Sequence, residues 1–282
     1  GIFVIWIDPY NTKDSKSRLI EIMEYTSTEI IENSEIFKIV KSKEDLQLSV
    51  SNKMPIVMGV EGLSCIGRNV DILDTLYMYG IRHASLTWNE QNELATGVDG
   101  EKDRGLTSDG VKAIHKMEDL GVLIDVSHAN EKTFWDIYKN TKKPFIASHS
   151  NCKSICNHKR NITDEQIKAI GDRGGVIGVN VYRDFIHNDK DKQNIEYMIN
   201  HIEHIINLIG IDHVGFGFDF CEYLDSFNLD HNEAECELNI DGVENASKVQ
   251  SIIRELRKRG YKQEDIEKIS YKNFYRVIRE IL

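Results

Sequence analysis

The sequence predicts an α/β fold, a TIM-type (β/α)8 barrel, from three observations. Short apolar runs recur along the chain with helix-like stretches between them, as expected of strands buried on both faces of a parallel sheet. Three of these runs end in side chains that bind metals. Pro55-Ile56-Val57-Met58-Gly59-Val60 ends at Glu61, Gly121-Val122-Leu123-Ile124-Asp125-Val126-Ser127 ends at His128, and Pro144-Phe145-Ile146-Ala147-Ser148 ends at His149. Polar residues at the carboxyl ends of parallel strands form the working face of such a barrel, so a carboxylate and two imidazoles are expected on one rim.

The elements follow in order. Ile2-Phe3-Val4-Ile5-Trp6-Ile7-Asp8 reads as the first strand, and residues 13–32 are charged and apolar at helical spacing. The second strand ends at Glu61, residues 70–79 form a helix, and residues 82–87 the third strand. Ser108-Asp109 opens a helix to Leu120 with Gly121 as its stop, and the fourth strand follows directly. Residues 131–140 are helical, the fifth strand ends at His149, and Thr163-Asp164-Glu165-Gln166 carries a helix-capping pattern. The sixth strand covers 175–182, a long helix 191–208, and the seventh strand is Val214-Gly215-Phe216-Gly217-Phe218-Asp219. The tail after Gly242 is helical, with breaks near Gly260 and Ser270. These are seven strands where a closed barrel has eight. The eighth is expected ahead of Gly1, in a segment upstream that could include a leader.

A chain of 282 residues with 40% hydrophobic content supports one large domain with a sizeable core. Only three prolines and no low-complexity tract interrupt it. Residues 1–282 are therefore expected to form a single barrel domain, with 221–242 as a lid or dimer-contact loop and 243–282 as C-terminal helices. The stretch 222–242 is acidic and poor in apolar residues, so a disordered excursion is an equal reading. A formal net charge of -11 and a pI near 5.4 disfavour nucleic acid and anionic membranes as partners. Mean hydropathy is -0.40, and no run approaches the roughly 20 apolar residues of a membrane span. Five cysteines are too sparse for a disulfide scaffold. Cys152 and Cys156 are expected to be free thiols, and the chain to be soluble and cytoplasmic unless a leader precedes it.

Carboxylate and neutral imidazole suit zinc or a similar divalent ion, and the chemistry suggested is metal-assisted hydrolysis. A lone strand-end histidine is more often structural. Two of them together with Glu61 at matching strand ends favour ligation. Asp219, taken alone, could cap a loop, and Arg160 could be an ordinary surface ion-pair residue. His201 and His204, three apart on a helix, lack the His-Glu-x-x-His order and read as a solvated face. His213 reads as structural, and His158 has no assigned role. Asp125 could steer His128, but neighbouring strand residues point to opposite faces.

Taken together, several segments resemble the membrane (renal) dipeptidase family, zinc-dependent barrel peptidases of the amidohydrolase superfamily. They are Gly59-Val60-Glu61-Gly62, Leu123-Ile124-Asp125-Val126-Ser127-His128, Ser148-His149-Ser150, His158-Lys159-Arg160-Asn161, Asp212-His213-Val214-Gly215-Phe216-Gly217-Phe218-Asp219-Phe220 and Asn273-Phe274-Tyr275-Arg276-Val277. The match runs in order over nearly the whole chain, and the 21-residue step from His128 to His149 agrees with it. The resemblance implies two zinc ions, bridged by Glu61, with His128 and His149 completing one of the two sites. The other site normally takes a His-x-Asp pair from the first strand, and this chain opens on what looks like the family's second strand. The resemblance also implies that Arg160 binds the substrate's terminal carboxylate, that Asp219 exchanges a proton with the bridging water, and that the protein is a homodimer. Where many members have a histidine that can polarise the scissile carbonyl, this chain has Trp88. Bacterial-type members share that tryptophan, so Trp88 is expected at the substrate. A second acid often found two residues after Asp219 is Cys221 here.

The reading that follows is hydrolysis of dipeptides, since Arg160 offers a planar fork for a nearby C-terminal carboxylate. Two alternatives remain at this stage. One is a barrel that binds a metal or small ligand without turnover. The other is an amidohydrolase acting on another amide or a lactone.

Overall fold

Parallel strands joined by helical crossovers build both halves of the chain. The computed structural model describes residues 1–10, 12–46, 53–220 and 238–282. These residues divide into two units, Gly1–Ile146 with Val277–Leu282, and Ala147–Arg276. Most of the lid or dimer-contact loop expected over 221–242 lies outside the described residues, as does Cys221.

In the first unit, β1 (Ile2–Trp6) pairs in parallel with β3 (Met54–Glu61), and β3 pairs with β4 (Ile81–Ser85), which pairs with β5 (Leu123–Asp125). Glu61 is thus flanked by Trp6 on one side and Ser85 on the other. A short β2 (Phe37–Ile39), absent from the sequence expectation, pairs with the start of β3. Every residue of β4 and β5 is buried, the polar Arg82, His83, Ser85 and Asp125 included. The crossovers are α1 (Ser15–Glu32), α2 (Ile72–Tyr79), α3 (Ser108–Leu120) and α4 (Glu131–Asn140). Thr107 caps α3 by accepting from the Gly110 N–H, and Gly121 ends it in a left-handed conformation at φ 79. The expected fifth strand is reduced to a parallel bridge between Ile146 and Asp125 here, and one between Ala147 and Ile177 in the second unit.

The second unit contains α5 (Asp164–Asp172), β6 (Ile177–Val179), α6 (Arg183–Ile186), α7 (Ile195–Ile209), β7 (Val214–Phe216), α8 (Gln250–Lys258) and α9 (Gln263–Glu267). The capping box expected at Thr163 and Gln166 forms. β6 pairs in parallel with β7. The expected break near Ser270 is instead a π-helical turn, Lys268–Lys272, leading from α9 into α10 (Asn273–Ile281). No described helix is long and apolar enough to cross a membrane.

His201 corrects the expectation of a solvated face. It is fully buried on α7 beside Met198, Ile199, Ile202 and Ile205. Its Nδ1 accepts from the Cys152 N–H at 3.0 Å, and its Nε2 faces the Ile186 carbonyl at 2.9 Å. The ring is therefore a neutral linker, with Nε2–H as the donor. His204 is partly exposed and meets Asp164 at 2.8 Å and Ser154 at 3.0 Å. His213 matches its structural reading, with Nδ1 2.8 Å from the Gly175 carbonyl. Cys152 and Cys156 are free and buried, as expected.

Burial lowers the His201 pKa from 6.5 to about 4. Between those values the unfolded chain holds a proton that the folded chain excludes, so this contribution is intact above pH 6.5 and is lost as pH falls toward 4. The loss amounts to about 3 kcal/mol. The stability gap between the wild type and H201Q, measured by urea denaturation at pH 7.5 and at pH 4, should shrink by roughly that amount. A gap that does not change with pH would contradict a buried neutral ring.

Candidate functional site

In the first unit the site residues are carried by three strand ends. Glu61 is the last residue of β3. The chain turns away at Gly62 (φ 80), whose N–H donates to Ser85 Oγ at 3.0 Å, while that hydroxyl donates to the Thr87 carbonyl at 3.0 Å. Glycine suits this turn because an L side chain resists positive φ, and a Cβ here would press on the Thr87–Trp88 backbone. Beyond β5, Asp125 Oδ1 accepts from the Ser127 N–H at 2.9 Å, and the Ala129 N–H donates to the Val126 carbonyl at 3.1 Å. This tight turn carries His128 at φ 71, a left-handed conformation costly for a non-glycine residue. The other carboxylate oxygen of Asp125 lies 3.1 Å from His83 Nε2. Asp125 thus acts on the turn and on His83.

The result is a close pair: His128 Nε2 lies 2.7 Å from Glu61 Oε1, with side chains 7% and 15% exposed. His128 Nδ1 lies 2.7 Å from Asn89 Oδ1. Trp88 packs its ring 5.9 Å from the His128 ring and 5.2 Å from that of Trp6, so the indole roofs the imidazole on one side. Glu90, two residues on, is buried, and its pKa is raised first by burial, with the nearby charge of Glu61 acting in the same direction. The Cys65 thiol is pushed up to about 11, chiefly by burial, which makes it a poor nucleophile at neutral pH.

In the second unit the bridge from Ala147 to β6 continues through the Ser150 N–H, which donates to the Gly178 carbonyl at 2.8 Å. His149 sits between these contacts, buried, with Nδ1 2.7 Å from Ser148 Oγ and Nε2 3.9 Å from Asp219 Oδ2. Asp219 follows β7, again at positive φ (61), with Asn180 Nδ2 3.5 Å from Oδ2. Among the described residues, His128 and Asp219 are the non-glycine residues at positive φ, and both were singled out from sequence. Arg160 is 5% exposed, with Nη2 3.5 Å from the His149 carbonyl and its guanidinium 5.6 Å from the Phe185 ring. That burial is unlike the exposed surface ion pair that the sequence alone allowed. His158 accepts from the Arg160 N–H at 3.2 Å and lies 4.7 Å from the Phe185 ring, so it shapes the Arg160 turn.

The donor chemistry suits a divalent metal. A carboxylate oxygen and an imidazole nitrogen sit side by side in a largely buried position, and the opposite ring nitrogen of each candidate histidine meets a fixed oxygen, Asn89 Oδ1 or Ser148 Oγ. Ligating histidines are typically held this way. Asn89 was missed by sequence reasoning. Its adjacency to Trp88 was the only signal available, since 39 residues separate it from His128.

Comparison with known proteins supplies the family. The model of the membrane dipeptidase family, peptidase family M19, matches residues 2–282. The chain belongs to this family. It is 33% identical over 234 residues to an uncharacterized protein of the pqqA 5′ region of Klebsiella pneumoniae, covering 80% of each. It is 38% identical over 175 residues to an uncharacterized dipeptidase of Schizosaccharomyces pombe, covering 60% of this chain and 42% of that protein. With dipeptidase aclJ of Aspergillus oryzae the identity is 29%, over 80% of this chain and 51% of that one. Among solved structures, a metallopeptidase from Rhodobacter sphaeroides bound to a phosphinate mimic of the dipeptide L-Ala-D-Ala matches with a TM-score of 0.85 at 22% identity, covering 100% of this chain and 86% of that chain. An amidohydrolase from Pseudomonas aeruginosa matches with a TM-score of 0.85 at 23% identity, covering 99% and 88%. These likenesses establish the fold, the TIM-type α/β barrel of the M19 dipeptidases expected from the sequence.

Gly178 and Gly217 both press on the Ser148 carbonyl, leaving no room for a Cβ at either position. This close approach seats the turn that bears His149. Gly178→Ala is expected to cost about 1–3 kcal/mol of stability by overpacking, measured by chemical denaturation. Unchanged stability would mean that the Ser148 backbone is not clamped.

Proposed function

We propose that this chain is a metallodipeptidase that hydrolyses the peptide bond of dipeptides with a free C-terminus. The observation that carries the reading is the largely buried Glu61–His128 pair at 2.7 Å, from the ends of β3 and β5, in an M19 family chain. Glu61, His128 and His149 would hold the metal, which we read as zinc from the mix of carboxylate and imidazole donors. A count of two ions rests on the family resemblance alone. The bound cation supplies Lewis acidity and makes water nucleophilic near neutral pH.

The remaining work belongs to this chain's own side chains. Asp219, half exposed at the end of β7, takes a proton from the attacking water on a carboxylate oxygen. It then delivers that proton to the leaving amine nitrogen as the peptide bond breaks. Arg160 binds the substrate's terminal carboxylate through two parallel N–H donors, whose planar fork matches that anion. Placing that carboxylate close to the cut favours dipeptides over longer chains. Trp88 walls the substrate side of His128 and limits water access. The ligand of the Rhodobacter sphaeroides structure, a mimic of L-Ala-D-Ala, suggests an L,D dipeptide as the first substrate to try.

Three variants assayed on L-Ala-D-Ala and L-Ala-L-Ala separate these roles. E61Q should lose bound zinc and turnover together. D219N should keep its zinc and lose about 10²- to 10⁴-fold in kcat. R160K should raise KM about 10- to 100-fold, as expected for loss of a charge-assisted bond, with a smaller change in kcat. Undiminished turnover in E61Q or D219N would overturn the mechanism.

A further inference from the structure

We infer that Asn89 is a positioning residue that sets the tautomer of His128, and through it the affinity of the metal centre. The inference rests on the proposed metal role of His128 and adds a residue that this role requires. Asn89 Oδ1 lies 2.7 Å from His128 Nδ1, while His128 Nε2 lies 2.7 Å from Glu61 Oε1. An amide oxygen only accepts, so Asn89 draws the ring proton to Nδ1 and favours the tautomer whose Nε2 lone pair, beside Glu61, is open to a metal. Without this partner the remaining acceptor, the Glu61 carboxylate at 2.7 Å, draws the proton to Nε2, the tautomer that cannot ligate through that atom.

The loop around Asn89 is built to hold this geometry. The Asn89 carbonyl accepts from the Asp99 N–H at 2.9 Å, the Glu90 carbonyl from the Gly97 N–H at 2.8 Å, and the His128 carbonyl from the Val98 N–H at 3.0 Å. Gly97 lies so close to the Trp88 and Asn89 backbone that a Cβ there would clash. One loop therefore grips His128 twice, by its main chain through Val98 and by its ring through Asn89. His149 is held differently. Its Nδ1 meets the Ser148 hydroxyl at 2.7 Å, and a hydroxyl can either donate or accept. The Ser148 contact is by itself compatible with either tautomer, whereas the Asn89 contact is compatible with one.

The test compares the full-length protein with N89D, which keeps the acceptor, and N89L, which removes it at similar size. Zinc affinity is measured by competition with a chromophoric chelator, and ring-nitrogen chemical shifts of 15N-histidine-labelled metal-free protein report the His128 tautomer. N89L should weaken zinc binding about 10- to 100-fold and move the His128 shifts toward the Nε2-protonated tautomer. N89D should keep the wild-type tautomer and bind zinc at least as tightly as the wild type, and S148A should lose less affinity than N89L. Wild-type affinity and shifts in N89L, with an unchanged melting temperature, would overturn the inference and leave the dipeptidase reading standing. Failure of the wild type itself to bind zinc would overturn the underlying reading instead. An affinity loss shared equally by N89L and N89D, with unchanged shifts, would reduce Asn89 to loop packing and also overturn the inference.

Discussion

The contact between Glu61 and His128 is the constraint on which the rest of the first unit depends. A carboxylate and an imidazole, both largely buried, stand 2.7 Å apart, and burying such groups is unfavourable unless each has partners. Their positions come from two different strands. β3 delivers Glu61 between Trp6 and Ser85, and the turn after β5 delivers His128. The register of β3 against β4, with its irregularity between Met58 and Gly59, is therefore part of the site's geometry. So is the absence of a side chain at Gly59, where a Cβ would collide with His83.

Strain is concentrated where the proposed chemistry lies. Among the described residues, positive φ outside glycine occurs at His128 and Asp219. In the first unit, hydrogen bonds of the Asp125 turn and the 88–98 loop hold the strained backbone in place. In the second, β7 ends against β6 through the Gly217 N–H and the Val179 carbonyl at 3.1 Å, just ahead of Asp219. Strain of about 1–3 kcal/mol per residue persists only where the surroundings over-determine it. Burial supplies that surrounding: β4 and β5 are wholly enclosed, and Phe134 and Phe145 pack edge to face 5.8 Å apart in the same unit.

Much of this was legible in the chain itself. Fully buried parallel strands leave apolar runs, and a polar residue that ends such a run marks a strand end, so Glu61, His128 and His149 were visible without any structure. The helix from Ser108, the Gly121 stop and the Thr163 capping box were equally plain, because each rests on local hydrogen bonding. What stayed hidden depends on tertiary pairing. Phe37-Lys38-Ile39 is too short and too charged in its surroundings to announce β2, and the fifth strand survives as single bridges. Asn89 is a loop residue whose meaning comes from a histidine 39 positions away. His201 could have been read better: it falls inside the stripe Met198, Ile202, Ile205, where helical spacing directs side chains inward, but its pairing with His204 suggested a polar face.

We propose that Glu61, His128 and His149 hold the metal through oxygen and imidazole nitrogen. X-ray absorption at the zinc edge of the loaded protein tests it most directly. The account predicts a shell of nitrogen and oxygen at about 2.0–2.1 Å, with the outer-shell scattering of two imidazoles, falling to one imidazole in H128N. Sulfur at about 2.3 Å, or an imidazole count unchanged in H128N, would contradict it.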